Sequence, residues 1–361
     1  MHNLLLKVHK YTSLAFVVIW LIQIVSGLLM VFAPEITEAR FSKPSVPLNM
    51  AAFEKSMWAQ HAAHPAWEPQ TIYTTSKEST RFDVYFYHED SDEIGSRAIR
   101  IDGDGEILAD RMMKQDILNR TAEFHEMLWI DDYGYIILGI SGILLFSNMI
   151  LGVKFIWPMR QKWKSFFKLS AQDRKHIKLY KWHRLLGFCL ALPALFVVLT
   201  GILNIWLDDF KDIFGNPWAA PIVEAVADFD NKQKITLTDA VGIAFSTYPG
   251  ATLSIISLPS SDDPYYMIRL LQDGEIREIY GNTKMYIGAL DGAILANYDQ
   301  MSASVKASIF SSFFSLHLGT PLGMLGRILV FVTGVLMIIL GGFGITLWWA
   351  RRSKKRQKQK A

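Results

Sequence analysis

Four of the nine histidines stand at matched places in the chain. His9 lies in Lys7-Val8-His9-Lys10, ahead of one apolar run, and His183 in Lys181-Trp182-His183-Arg184, ahead of another. Setting His9 on His183 puts Lys7 on Lys181, Lys10 on Arg184 and Ser26-Gly27 on Thr200-Gly201, with no gap. Setting His125 on His317 puts Gly142 on Gly334, Gly152 on Gly344, Trp157 on Trp349 and Arg160 on Arg352. This is the pattern of a duplicated unit, and repeats decide architecture. A parallel duplication arranges its copies around an axis along the membrane normal. His9 can then face His183 at one end, and His125 can face His317 at the other. Two facing imidazoles in a helical bundle suit a flat, apolar macrocycle with iron at its centre, for which His is a standard axial ligand. Gly27, Gly201, Gly142 and Gly334 are expected to let such a ring approach the backbone.

The elements that must position these histidines are four apolar stretches, roughly 12–33, 133–157, 185–206 and 327–350. Each is long enough to cross about 30 Å of hydrocarbon, which takes ~20 helical residues. The segments between them differ in charge. Residues 158–184 carry nine Lys/Arg and one acid, Asp173, and the tail 351–361 carries seven Lys/Arg and no acid. The long loops are acidic, with 19 acids to 10 bases in 34–132 and 14 to 7 in 207–326. Short basic segments stay in the cytoplasm, so both termini and 158–184 are expected inside and the two long loops outside. The N-terminal run is too long for a signal-peptide core and no small-x-small site follows it, so it reads as a retained span. The single cysteine, Cys189, rules out an internal disulfide and a Cys-x-x-Cys-His haem attachment, and reads as a buried packing residue.

Both long loops read as domains. In the first, Met50–His64 has helical spacing. Thr71–Thr75 and Arg81–His88 alternate as half-buried strands do, with Phe82, Val84 and Phe86 on one face. Ser96–Ile101 and Glu106–Ala109 flank the turn Asp102-Gly103-Asp104-Gly105. The second repeats the order: a helix over Thr238–Tyr248 capped by Thr236 or Thr238, then strands at Thr252–Leu258, Tyr265–Leu271, Met285–Ala289 and Ala293–Ala296. Two external α+β domains are expected.

Other readings of these residues are blander. A lone histidine at a span end anchors near head groups, but four in two matched pairs fit that poorly. Zinc takes three or four ligands, and no Cys or carboxylate repeats beside the pairs. Glu126 follows His125, whereas Leu318 follows His317. His176 lies seven residues before His183, and its role as a ligand stays open. His61 and His64 have no matched partners, and His88 reads as a strand-end surface residue. Gly341-Gly342-Phe343-Gly344 reads as helix packing, and the basic tail as an anchor on acidic lipid. Lys7, Lys10, Lys181 and Arg184 either neutralise haem propionates or serve only as positive-inside anchors. No G-x-G-x-x-G joins a strand to a helix, so the electron donor is a partner or a quinol. Nothing points to nucleic acid.

The K-x-H-[KR] starts, the D-G-x-[IL]-L turn of the loop domains and the second span ending in Trp and Arg resemble PepSY-associated transmembrane proteins of the bacterial inner membrane. The resemblance covers nearly the whole chain. It implies a four-helix transmembrane bundle carrying two external PepSY-like domains. The spans fall at 1–33, 125–160, 183–206 and 317–350, the external domains at 34–124 and 207–316, and the cytoplasmic segments at 161–182 and 351–361. Some members are reductases that use b-type haem to release iron from ferric siderophores in the periplasm. It therefore implies a di-haem reductase with two b haems. His9 with His183, and His125 with His317, would be the iron ligands, and an external ferric chelate the substrate. A cytoplasmic reductase or a quinol would be the donor. The acidic loops disfavour a highly anionic chelate unless bases such as Arg111 or Lys114 offset them. The rival expectation is a non-catalytic PepSY protein that binds or regulates an envelope partner.

Overall fold

The computed structural model describes residues 2–41, 44–77, 79–90, 94–130, 133–158, 160–170, 172–276 and 280–360, with the backbone alone at 2, 160 and 353–360. Ala361 and the side chains of 353–360, in the basic tail expected as a lipid anchor, lie outside the described residues. The chain forms two compact units. One comprises Met1–Val31, Thr121–Asp208 and Leu316–Ala361; the other comprises Phe32–Arg120 and Asp209–Ser315.

The first unit is helical. Its long helices are α1 (His2–Val31), α4 (Gly134–Ile156), α5 (Lys175–Ile205) and α8 (Gly323–Lys360). Each contains a stretch long and apolar enough to cross a membrane. Helix α1 packs on α4 and α8, and α5 packs on the same two, which closes a ring of four. The histidines expected at the starts of the second and fourth spans sit instead on separate helices, α3 (Ile117–Met127) and α7 (Val305–Leu318). Each of these stops within three residues of its histidine, because the backbone turns left-handed at Leu128 and Trp129 in one case and at Gly319 in the other. The carbonyl of Met127 then lies where a Cβ on Gly134 would stand, and the carbonyl of Gly319 does the same at Gly326. Only glycine permits that return, which lays each histidine helix against the start of its span. Cys189, expected to be buried, is exposed on α5; the face it occupies is not one that packs within the bundle.

The second unit contains one eight-stranded antiparallel sheet in place of the two separate domains expected. The strands are β1 (Glu68–Thr74), β2 (Phe82–Tyr87), β3 (Arg97–Ile101), β4 (Ile107–Met112), β5 (Thr252–Ser257), β6 (Tyr265–Leu271), β7 (Thr283–Gly288) and β8 (Ile294–Tyr298). Their order is β4-β3-β2-β1-β5-β6-β7-β8. Each half alone would leave its first strand as an unpaired edge; pairing β1 with β5 removes both edges. Ile99, Val84, Ile72, Ile256, Ile268 and Met285 stand side by side across the six inner strands, none more than 1% exposed. Burying each contributes roughly 1.5–3 kcal/mol. The row ends on Asp110 and Asn297 in the edge strands.

Helices α2 (Met50–Ala63) and α6 (Leu237–Thr247) pack on each other, and their buried Phe53, Met57, Leu237 and Val241 join this core. Thr236 and Asp239 form a capping box at the start of α6. Glu54 of α2 adds a second cap, accepting from the amides of Leu237 and Thr238, each at 2.9 Å, and from the Thr238 hydroxyl at 2.6 Å. The opposite face of the sheet is polar. Arg100, 1% exposed, makes two bonds to Asp83, at 2.9 and 2.5 Å. Arg111, the base expected to offset the acidic loops, is held by Asp83 at 2.8 Å and Asp116 at 3.4 Å.

Candidate functional site

The four matched histidines lie in the helical unit at two levels. His9 and Gly27 are 18 residues apart on α1, which at about 1.5 Å per residue separates them by about 27 Å along the helix. His9 sits near the start of α1, and His183 stands two turns into α5, close enough to interact with it electrostatically. The rings of His125 and His317 face each other with centroids 6.3 Å apart and planes 34° apart.

One local design holds all four rings. Each turns its Cε1 edge onto a helical glycine. A Cβ would stand 2.8 Å from the His125 ring at Gly27, 3.0 Å from His317 at Gly201, 3.0 Å from His9 at Gly152 and 3.5 Å from His183 at Gly344. Gly27 and Gly201 thus receive imidazoles and not the edge of a macrocycle. Gly142 and Gly334, expected to do the same, receive Ile202 and Leu28. The reason is spacing: the side chain of a neighbouring helix already fills the notch.

The glycine also brings three of the rings to the carbonyl four residues earlier on the same helix. Nδ1 of His9 is 2.9 Å from the Asn148 carbonyl, Nδ1 of His183 is 3.2 Å from that of Leu340, and Nδ1 of His317 is 2.9 Å from that of Val197. A carbonyl only accepts, so in each case Nδ1 carries the proton and donates it. Nε2 is then the unprotonated nitrogen, the form that binds a metal. Such an outer hydrogen bond is the usual means of fixing the tautomer and orientation of a ligand histidine. His125 has polar neighbours of another kind, Ser26 Oγ at 3.0 Å and Gln23 Nε2 at 3.1 Å from Nδ1.

The facing pair fits an iron between two imidazoles. Metal–imidazole bonds of about 2 Å on both sides, with about 1 Å more to each ring centre, span about 6 Å, and the rings are 6.3 Å apart. No cluster of three or more His, Cys, Asp or Glu able to hold a metal ion occurs among the described residues. The donor set is two imidazoles per level, which would suit a metal already held by a planar ring.

The basic residues beside the first pair have partners of their own. Lys181 bonds Asp173 at 2.6 Å and holds its carboxyl below the usual range. Arg184 donates to the Phe166 carbonyl at 2.6 Å and lies over the Phe166 ring. Lys7 and Lys10 are exposed. His176 lines an apolar cavity of about 220 Å³ with Tyr180, Leu347 and Arg351. In the sheet unit His61 bonds the Trp67 carbonyl, and His88 accepts from the Asp90 amide.

Sequence reasoning missed Gln23 and Asn148. Asn148 is 6% exposed inside an apolar helix, and its amide donates to Ser13 Oγ at 2.8 Å. Both carried a legible signal, a polar side chain within an apolar run. Gly152 and Gly344 were visible as a matched pair without a role; the structure shows the role.

No curated protein matches the chain. The family described as "PepSY-associated TM region" matches residues 6–351. With four helices apolar and long enough to span, this is a multi-pass membrane protein. The match runs over nearly the whole sequence, and the chain belongs to the PepSY-associated transmembrane family.

Proposed function

We propose that the protein is a di-haem reductase of the bacterial inner membrane that reduces an external ferric chelate, of the ferric-siderophore class, to release its iron. His9 with His183 and His125 with His317 are the axial ligands of two b-type haems. The reading has both termini and 158–184 in the cytoplasm and the sheet unit in the periplasm, on the charge asymmetry of the segments. It also takes the chain as an internal duplication. The same offsets that match the histidines also match the glycines they rest on, Gly27 with Gly201 and Gly152 with Gly344.

The observation that carries the proposal is the 6.3 Å between the rings of His125 and His317. Bound there and at His9–His183, haem would supply one-electron transfer. With two histidines holding each iron, no open site would remain for oxygen. The protein's own part is to hold three of the imidazoles by their Nδ1 protons on backbone carbonyls, to set His125 against Ser26 and Gln23, and to keep the two levels about 27 Å apart, close to the ~30 Å of hydrocarbon. The donor is a cytoplasmic reductase or a quinol.

The test is the absorption spectrum of the purified full chain. A red preparation, with a sharp Soret band, a reduced α-band and about two haems per chain, is expected. A folded, colourless preparation overturns the proposal and leaves a PepSY protein that binds or regulates an envelope partner.

A further inference from the structure

We propose that Gln23 raises the reduction potential at the His125–His317 level above that at His9–His183, and so sets the direction of electron flow. This rests on the haem reading above. At His9, His183 and His317 the partner of Nδ1 is a backbone carbonyl. An acceptor there pushes electron density into the imidazole, makes Nε2 a stronger donor and favours ferric iron.

His125 departs from this rule. The carbonyl four residues before its glycine is that of Gln23, which accepts from Ser26 Oγ at 2.8 Å and not from the ring, whereas the Val197 carbonyl accepts from Thr200 Oγ1 at 3.0 Å and from His317 as well. Gln23 then turns its amide onto the histidine: Nε2 donates to the backbone carbonyl of His125 at 2.6 Å and lies 3.1 Å from Nδ1. The backbone fixes that orientation. Turned over, Oε1 would meet the His125 carbonyl oxygen at the same distance, and two acceptors so close repel. The acceptor left for the Nδ1 proton is Ser26 Oγ at 3.0 Å, a hydroxyl where the other three rings have a backbone carbonyl, and an N–H-bearing edge stands beside it. The ring is a poorer donor, and ferrous iron is favoured.

A second observation agrees. Gln23 Oε1 is buried with no hydrogen-bond partner among the described residues. A polar side chain in a spanning helix is costly and marks function. At the matched position the second half of the chain has Val197, and His317 beside it keeps its carbonyl bond at 2.9 Å. The step so directed moves one electron. With haem held at both levels, ferrous iron at His9–His183 would become ferric as ferric iron at His125–His317 became ferrous, with no bond or proton changing hands.

The experiment is a potentiometric titration of the haem-loaded full chain, followed at the α-band. Wild type is expected to show two waves, with the higher one absent in His125→Ala. Gln23→Val removes the amide from beside the ring and lets the backbone carbonyl of residue 23 accept from His125 as well as from Ser26, as the Val197 carbonyl does for His317 and Thr200, and lowers the higher wave towards the lower. Gln23→Glu puts a carboxylate beside Nδ1 and lowers it further. Ser26→Ala removes the hydroxyl beside Nδ1 and leaves the residue 23 carbonyl as the acceptor without touching Gln23, and lowers it should the Gln23 variants lose haem. The lower wave stays in place throughout. One wave in wild type, loss of the lower wave in His125→Ala, or unmoved potentials in the variants overturns the proposal. A colourless wild type would instead strike the haem reading itself.

Discussion

The imidazoles of His125 and His317 face each other at 6.3 Å, and each rests on a glycine of its own half of the chain, Gly27 for His125 and Gly201 for His317. Each ring is held from behind by one helix and presented to the ring of the other half. Neither half alone offers two ligands at one level.

His125→Ala and His317→Ala should therefore remove the same haem. Each is expected to lower haem content to about half, and the double variant no further. His9→Ala combined with His125→Ala should be colourless. Pyridine-haemochrome content per chain measures this; additive loss from His125→Ala and His317→Ala would show that the two rings serve different sites.

Filling the glycine notches should displace the rings in order of closeness. Gly27→Ala meets His125 at 2.8 Å and should cost the most haem. Gly152→Ala and Gly201→Ala, each at 3.0 Å, should cost less, and Gly344→Ala at 3.5 Å, ordinary contact, little or none. Haem retention during purification reads the series, and an equal loss at all four would count against the notch as the holding device.

Glu54 joins the two halves of the sheet unit through the start of α6. Glu54→Ala leaves two amides uncapped and should destabilise that unit by about 1–2 kcal/mol, the range of a lost N-cap. Chemical denaturation of the full chain, followed by near-ultraviolet circular dichroism, should show the shift. Glu54→Gln should restore part of it.

Alkali should unfold the same unit. Burial pushes the Tyr266 hydroxyl up to about 12 from 10, with the charges of Glu54 and Asp239 adding to the effect. Its folded pKa is raised, so the folded state keeps a proton that the unfolded chain gives up. The stability is full below pH 10 and drains away between pH 10 and 12. Tyr266→Phe removes the group and should flatten the loss over that window in melts at stepped pH, although the bond to the Ile235 carbonyl is lost too.

What the sequence determined by itself was local or periodic. The four spans were legible because a membrane helix needs ~20 apolar residues whatever it packs against. The strand alternation at Phe82, Val84 and Phe86 was legible because a half-buried strand repeats every second residue, and all three are at most 3% exposed. The four histidines stood out because one offset relates their whole neighbourhoods. Tertiary structure decided what depends on contacts distant in sequence. Ile72 beside Ile256 turns two expected domains into one sheet, and an edge strand does not encode which other edge it will meet. A glycine in a helix says only that a Cβ is absent; that Gly27 and Gly152 receive imidazoles, while Gly142 receives Ile202, depends on which helix crosses at that height. The left-handed break at Leu128 and Trp129, which lifts His125 off its span, occurs at residues that do not advertise it. The carbonyl that fixes each ring's tautomer belongs to every residue alike, so only the packed bundle could select Asn148, Leu340 and Val197 for that role.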